Sequence, residues 1–315
     1  MIHKTAFPSR AKRLQSISQE MTLSQSYPLL KIGKIKKELF GELIENVNRY
    51  IYSNLTKFYS GEKFSQDKFL LETQPEQIRG LPNITPNGLI LPKQSTCSEY
   101  NKVHSSIVKI VREFKLGQYA ESLHAPINIR LIDGNKNDSD QRPHSSTKMH
   151  SDIWAGEPSN SIAIFIPIYG DKKNIDVKWI EPLTFPEELK QPLSDFNEGR
   201  HIVVGGTRYN VDFSPGDIIL VDPYLIHATN KVKDLLRLSI DFRFITRSVI
   251  DNDLLAPGTR QANYLTYEEW SDIGGGLSLT SNSLLTQFSE ENSRQENTYA
   301  AKYGIKSVKD GKQCL

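Results

Sequence analysis

Phe-Ser-Pro-Gly-Asp-Ile-Ile-Leu-Val-Asp-Pro-Tyr-Leu-Ile-His, residues 213–227, reads as a turn, a strand, a second turn and a short strand ending on a histidine. Pro215-Gly216 marks the first turn, with glycine supplying a positive φ. Ile218 to Val221 is an unbroken apolar run, the composition of a strand covered on both faces. Asp222-Pro223 breaks the chain again. His227 then lies between Leu225-Ile226 and the polar Thr229-Asn230-Lys231, which places it at a strand edge rather than in a helix. A lone histidine in that position is most often structural, so its meaning depends on what else can reach it.

Two other stretches can. Lys-Met-His-Ser-Asp-Ile-Trp, residues 148–154, leads through a polar turn (155–159) into Ser-Ile-Ala-Ile-Phe-Ile-Pro-Ile-Tyr, 161–169, a run of strand composition. On an extended segment His150 and Asp152 point to one face and Ser151 to the other. Alone, the triplet also fits a surface turn with a solvated histidine and aspartate. Joined to His227, it makes two imidazoles and one carboxylate, the ligand set of a non-haem Fe(II) site with three open positions on one face of the metal. Downstream, residues 235–245 alternate cleanly. Arg237, Ser239, Asp241 and Arg243 share one face; Leu236, Leu238, Ile240, Phe242 and Phe244 share the other. An amphipathic strand with a solvated polar face explains this too, and for Asp241 it is the reading adopted. A planar guanidinium can grip a carboxylate through two parallel hydrogen bonds, and Ser239 would add a hydroxyl. Arg237 is the first choice for that grip and Arg243 the reserve.

Together, His150-x-Asp152, His227 and Arg237-x-Ser239 resemble the iron and 2-oxoglutarate signature of the 2-oxoglutarate-dependent Fe(II) dioxygenases. The stretches 216–227 and 237–243 most resemble the phytanoyl-CoA-hydroxylase-like branch, over roughly residues 125–247. The resemblance implies that His150, Asp152 and His227 are iron ligands. It implies that Arg237, or in reserve Arg243, together with Ser239 holds the far carboxylate of 2-oxoglutarate, and that O2 is consumed. Asp152 stands where related halogenases carry a small residue, so the chain resembles a hydroxylating member. The implied fold is mainly β with flanking helices, a double-stranded β-helix (a cupin-like jelly roll) of two facing antiparallel sheets. A cupin-type metal isomerase or hydrolase without 2-oxoglutarate, and a non-catalytic jelly-roll binding module, are the alternatives. Arg237-x-Ser239 speaks against the first and the complete ligand set against the second.

The expected organisation is an N-terminal helical region packing on the sheet (1–124), a catalytic core (125–247) and a C-terminal lid or tail (248–315), all one structural domain. Ile35, Leu39, Leu43, Val47, Ile51 and Leu55 recur every four residues and predict a helix over 34–59; a second is predicted over 97–122. Residues 1–25 hold no acid before Glu20; a disordered or loosely docked tail is a simpler account than a transit peptide. Pro126 to Ile132 is an early strand, and the Pro- and Gly-rich insertion 171–210 contains an expected hairpin from His201 through Gly205-Gly206. His144 and His201 are read as loop or strand-end residues, not ligands. Trp154 and Arg130 are the candidates for lining a substrate pocket, against core packing and a structural salt bridge respectively. The stretch beyond Trp270 contains a Gly274–Gly276 joint, and whether this region is lid, dimer contact or tail stays open.

With 37% hydrophobic residues, a net charge of +2 and no long apolar run, neither membrane nor nucleic acid is an expected partner. The expected partner is a polar small molecule, and a homodimer stays open. Cys97 and Cys314, the only cysteines, make no disulfide framework, which fits a cytoplasmic location.

Overall fold

A computed structural model describes residues 5–135, 141–170, 177–247, 264–282 and 303–308. In chain order they form α1 (Pro8–Ile17), β1 (Leu23–Tyr27), β2 (Leu30–Lys34), α2 (Lys37–Phe58), α3 (Leu70–Thr73), α4 (Pro75–Arg79), α5 (Cys97–Glu113), β3 (Ala120–His124), β4 (Asn128–Asp133), β5 (Ser161–Tyr169), β6 (Val177–Glu181), β7 (Thr207–Tyr209), β8 (Asp217–Val221), β9 (Ile226–Thr229), β10 (Leu236–Thr246), β11 (Tyr264–Thr266), α6 (Tyr267–Asp272), β12 (Leu277–Ser281) and β13 (Tyr303–Ser307). Among the described residues no helix is long and apolar enough to cross a membrane.

The large sheet runs β1-β2-β8-β5-β10-β3-β11, with β4 also paired to β10. Strand β10 is long enough to serve two neighbours on one edge: Leu236–Asp241 pair with β4 and Phe244–Thr246 with β3. A small sheet, β7-β6-β9, is all antiparallel. The alternation in 235–245 decides how the layers stack. Leu236, Leu238, Ile240, Phe242 and Phe244 join a core that also holds Leu43, Val47, Ile51 and Leu55 of α2 and Val103, Ile107, Ile110 and Val111 of α5. The helices therefore cover one face of the large sheet. Each aliphatic side chain removed from water there stabilises the fold by roughly 1.5–3 kcal/mol. The opposite face packs on the small sheet through a second core containing Ile219, Val221, Trp179 and Ile226. The run 218–221 divides between the two cores, Ile218 and Leu220 to one, Ile219 and Val221 to the other. That is the burial expected of a strand covered on both sides. Gly216 makes the turn before it with φ of 89°.

Several elements differ from expectation. The second helix stops at Glu113, because Lys115 turns left-handed (φ 52°) and Gly117 lies against the Tyr267 ring, where a Cβ would collide. The hairpin expected from His201 through Gly205-Gly206 does not form. Asp195 and Glu198 make a reciprocal capping box that starts 3-10 helix over Phe196–Val203, and β7 pairs with β6 instead. Gly274 turns tightly (φ 86°) against the Asn101 carbonyl, and Trp270 is fully buried, its Nε1 donating to the His124 carbonyl. The described C-terminal residues thus belong to the packed structure. Residues 248–263, 283–302 and 309–315, Cys314 among them, lie outside the described residues.

The N-terminal stretch is no loose tail. Arg10 Nε donates to Asp222 Oδ1 and Arg13 Nη2 to Asp222 Oδ2, both at 2.8 Å, and Leu14 and Ile17 are buried. The Arg10 guanidinium also lies 3.7 Å from the centre of the Tyr224 ring. Helix α1 therefore fastens the Asp222–Leu225 turn that delivers His227. Burial pushes the Asp222 carboxyl up, but the two guanidiniums outweigh it and hold it below the usual carboxylate range. A carboxyl depressed in the folded state contributes stability above its unfolded pKa of about 4 and loses it as pH falls further. Asp222→Ala takes the shared carboxylate from two buried guanidiniums, and the expected loss is about 3–5 kcal/mol in denaturant melts. A change below about 1 kcal/mol would show that α1 docks by other means.

Candidate metal centre and its buried arginines

His150 forms an isolated antiparallel bridge with His227, each backbone N–H donating to the other's carbonyl at 2.9 and 2.8 Å. That pairing sets the two imidazoles side by side, ring centres 4.3 Å apart. The chain does not continue as a strand. Asp152 is helical (φ −59°, ψ −30°) and starts a 3-10 turn over Ile153–Ala155. Ser151, turned away, donates from Oγ to the Pro223 carbonyl at 2.6 Å and so ties this turn to the one before His227. Asp152 consequently reaches the imidazoles by a turn rather than by strand alternation, with His227 Nε2 3.9 Å from its Oδ1.

One atom from each of His150, Asp152 and His227 lies within 4.8 Å of the others, and among the described residues no other trio of potential ligands is so placed. The ring nitrogens are already sorted. His150 Nδ1 lies 2.8 Å from the Lys148 carbonyl and His227 Nδ1 3.2 Å from the Leu225 carbonyl. A carbonyl only accepts, so each Nδ1 carries the proton and each Nε2 is left as a lone pair. Burial, then the neighbouring His227, presses His150 down to about 3; burial also lowers His227. Both rings are neutral at pH 7, the state a metal ligand needs. Burial pushes Asp152 up, but Arg243 beside it prevails and keeps it ionised. Phe196 from the capped 3-10 helix stacks on His150, ring centres 4.5 Å apart and planes 5° from parallel, which fixes the ring's orientation.

The polar face of β10 looks into the same interlayer space. Arg237 is 2% exposed; its Nη2 is 3.5 Å from Thr229 Oγ1, two residues beyond His227, and its guanidinium lies over Phe165. Ser239 is fully buried, and its Oγ has no hydrogen-bond partner among the described residues. A buried hydroxyl without a partner costs about 1–3 kcal/mol, a cost that an acceptor brought to Ser239 Oγ would offset. Arg243 is elsewhere: it grips Asp152, Nε to Oδ2 at 3.0 Å and Nη2 to Oδ1 at 2.7 Å. The expected solvated role for Asp241 does not hold. It is bound by Arg130 at 2.9 Å and Asn128 at 2.9 Å, and Arg243 approaches to 3.6 Å. Arg130 is thus engaged in the salt bridge weighed for it, on the interlayer face of β4 and part exposed. Trp154 is fully buried, donates to the Leu189 carbonyl and packs on Gly199, the place of a packing residue rather than a pocket wall. His144 binds the Leu193 carbonyl and His201 is exposed; neither joins the trio.

Sequence reasoning missed Thr229, Phe196, Glu157 and Tyr264. Thr229 could have been found, since i+2 from His227 shares its face. Glu157, 1% exposed and accepting from Tyr264 Oη at 2.7 Å, sits in a stretch that reads as a plain polar turn.

No family model and no curated protein matches the chain. Among solved structures it is similar to the non-haem alpha-ketoglutarate-dependent epimerase SnoN of nogalamycin biosynthesis (13% identity, 76% of this chain and 81% of that one, TM-score 0.39). It is similar also to AviO1 of Streptomyces viridochromogenes Tue57 (14%, 71% and 92%, 0.42). A third is an N-substituted L-amino acid dioxygenase of Burkholderia ambifaria AMMD in complex with alpha-ketoglutarate (11%, 75% and 87%, 0.39). At TM-scores below 0.5 these likenesses leave the site to stand on its own geometry.

Proposed function

We propose that the protein is a non-haem Fe(II) and 2-oxoglutarate-dependent oxygenase of the phytanoyl-CoA-hydroxylase-like branch. It hydroxylates or otherwise oxidises a polar small molecule and releases succinate and CO2. The observation that carries this reading is the joint placement of the His150-Asp152-His227 trio and the buried Arg237-Ser239 pair between two antiparallel sheets. That layering also supports a double-stranded β-helix. An isomerase or hydrolase working on the metal alone would have no use for a buried guanidinium and an unsatisfied hydroxyl on the facing sheet.

The donor set fits Fe(II): two neutral imidazoles and one carboxylate suit that metal and leave open positions for a chelating cosubstrate. When bound, Fe(II) with 2-oxoglutarate supplies the O2-dependent oxidation of an unactivated C–H bond. The chain's own residues do the rest. His150 and His227 present Nε2, their orientation fixed by the Lys148 and Leu225 carbonyls. Asp152 offers carboxylate oxygen, and Arg237 with Ser239 receives the far carboxylate of 2-oxoglutarate. Phe165 beneath Arg237 and Phe196 over His150 keep water from those flanks.

Turnover tests the proposal. Purified protein with Fe(II), 2-oxoglutarate and O2 is expected to form succinate even without its substrate, slowly and with 1:1 CO2 release; no succinate above a metal-free control would remove the oxygenase reading. Ser239→Ala removes one neutral hydrogen bond, about 0.5–1.5 kcal/mol. The 2-oxoglutarate needed for half-maximal rate should therefore rise roughly two- to tenfold, and an unchanged value would take Ser239 out of the cosubstrate site.

A further inference from the structure

Arg243 is the least expected feature of the centre. It lies on the same strand face as Arg237, yet its side chain is spent on a ligand of the metal rather than on the cosubstrate's pocket. The contact is a side-on fork: Nε and Nη2 reach the two oxygens of Asp152 at 3.0 and 2.7 Å. The guanidinium is held in turn by acids on its other side. Glu157 Oε1 is 3.9 Å from Nε and Asp241 Oδ1 3.6 Å from Nη1, while Tyr264 anchors Glu157 and Arg130 with Asn128 anchors Asp241. The fork is thus built into the fold through β4, β10, β11 and the 155–159 turn.

A carboxylate has about four lone-pair sites, and a parallel fork takes the inward one on each oxygen. Those are the two that a cation needs in order to chelate both oxygens together. With Arg243 in place, the outward lone pairs remain, one on each oxygen, and because they diverge a single ion can use only one of them. One-oxygen ligation leaves three coordination positions open; two-oxygen ligation leaves two. A 2-oxoacid bound through carboxylate and keto oxygen takes two positions, and O2 needs a third.

We propose that Arg243 is a positioning residue that restricts Asp152 to a single metal-facing oxygen and so keeps open the third position, without touching 2-oxoglutarate. This rests on the metal reading above, and it assigns the two arginines of β10 separate tasks: Arg237 for the cosubstrate, Arg243 for the ligand.

Co(II) serves as the probe, because its visible absorption reports coordination number without turnover. The full-length wild type is titrated with Co(II), then with 2-oxoglutarate, and separately with 2-oxobutyrate, which chelates alike but lacks the far carboxylate. Arg243→Lys keeps the charge and loses the fork. Its Co(II) spectrum is expected to differ from wild type before any 2-oxoacid is added. Both 2-oxoacids should then bind more weakly by the same factor, about tenfold, the scale on which partners of metal ligands act. A wild-type spectrum together with wild-type affinity for both acids overturns the proposal. Weakening of 2-oxoglutarate alone overturns it too, since Arg243 would then be the grip on the far carboxylate. A wild type that binds no Co(II) brings down the metal reading itself, a failure seen before any variant is compared. If Arg243→Lys does not fold, Glu157→Gln decides, loosening the guanidinium without removing it; the same spectral change in smaller degree is expected, and its absence counts against the proposal.

Discussion

Asp152→Ala is expected to abolish both metal-dependent succinate formation and the binding of Fe(II) with 2-oxoglutarate. Two neutral imidazoles remain, but the only anionic ligand of the trio is gone. The variant also strips Arg243 of the carboxylate it grips with two hydrogen bonds. Removing one member of a buried pair costs about 3–5 kcal/mol. Glu157 and Asp241 still stand within 3.9 Å of the guanidinium, so the loss should fall near the lower end. Melting of the metal-free protein checks the stability arm and succinate assays the chemical one. An Asp152→Ala protein that turns over 2-oxoglutarate normally would show the ligand assignment to be wrong.

Arg237→Met should raise the 2-oxoglutarate requirement by about a hundredfold or more. Truncating one partner of a buried, hydrogen-bonded charge pair costs about 2–5 kcal/mol, and each 1.4 kcal/mol is roughly tenfold in affinity. The far carboxylate would meet Ser239, Thr229 and the Phe165 ring with no cation between them. Affinity for 2-oxobutyrate should change little, because that acid has nothing for Arg237 to hold. Arg237→Lys should recover only part of the loss, a point charge replacing a planar fork. Equal weakening of both acids would place Arg237 at the metal end instead.

The parts of this molecule that are legible in sequence are those in which local pattern and tertiary environment agree. The strict alternation of 235–245 could only be a strand with two unlike faces, and Ile218–Val221 only a strand buried on both. The grouping of His150, Asp152 and His227 is legible because two imidazoles and a carboxylate are a residue set that a metal centre would restrict. The route that brings Asp152 to the imidazoles is not, since Asp152 enters a 3-10 turn that no periodicity marks. Helix α1 escapes a sequence reading for a related reason. Arg10 and Arg13 look like a solvated basic tail until Asp222 is known to meet them, 212 and 209 residues away. Arg243 is similarly ambiguous: one face of one strand offers two arginines, and only the position of Asp152 shows which of them grips it. The capping box at Asp195 is written plainly in the sequence, yet the following Ile202-Val203-Val204 carries strand composition and hides it.

Anaerobic addition of Fe(II) and then 2-oxoglutarate to the wild-type protein, followed by visible absorption, addresses the site most directly. Chelation of the 2-oxoacid by a ferrous ion held by His150, Asp152 and His227 should give a weak charge-transfer band that saturates at one equivalent of each, and that Arg237→Met shifts to higher 2-oxoglutarate concentration. A folded protein that shows no band at saturating iron and 2-oxoglutarate would mean that these three side chains do not hold the metal together.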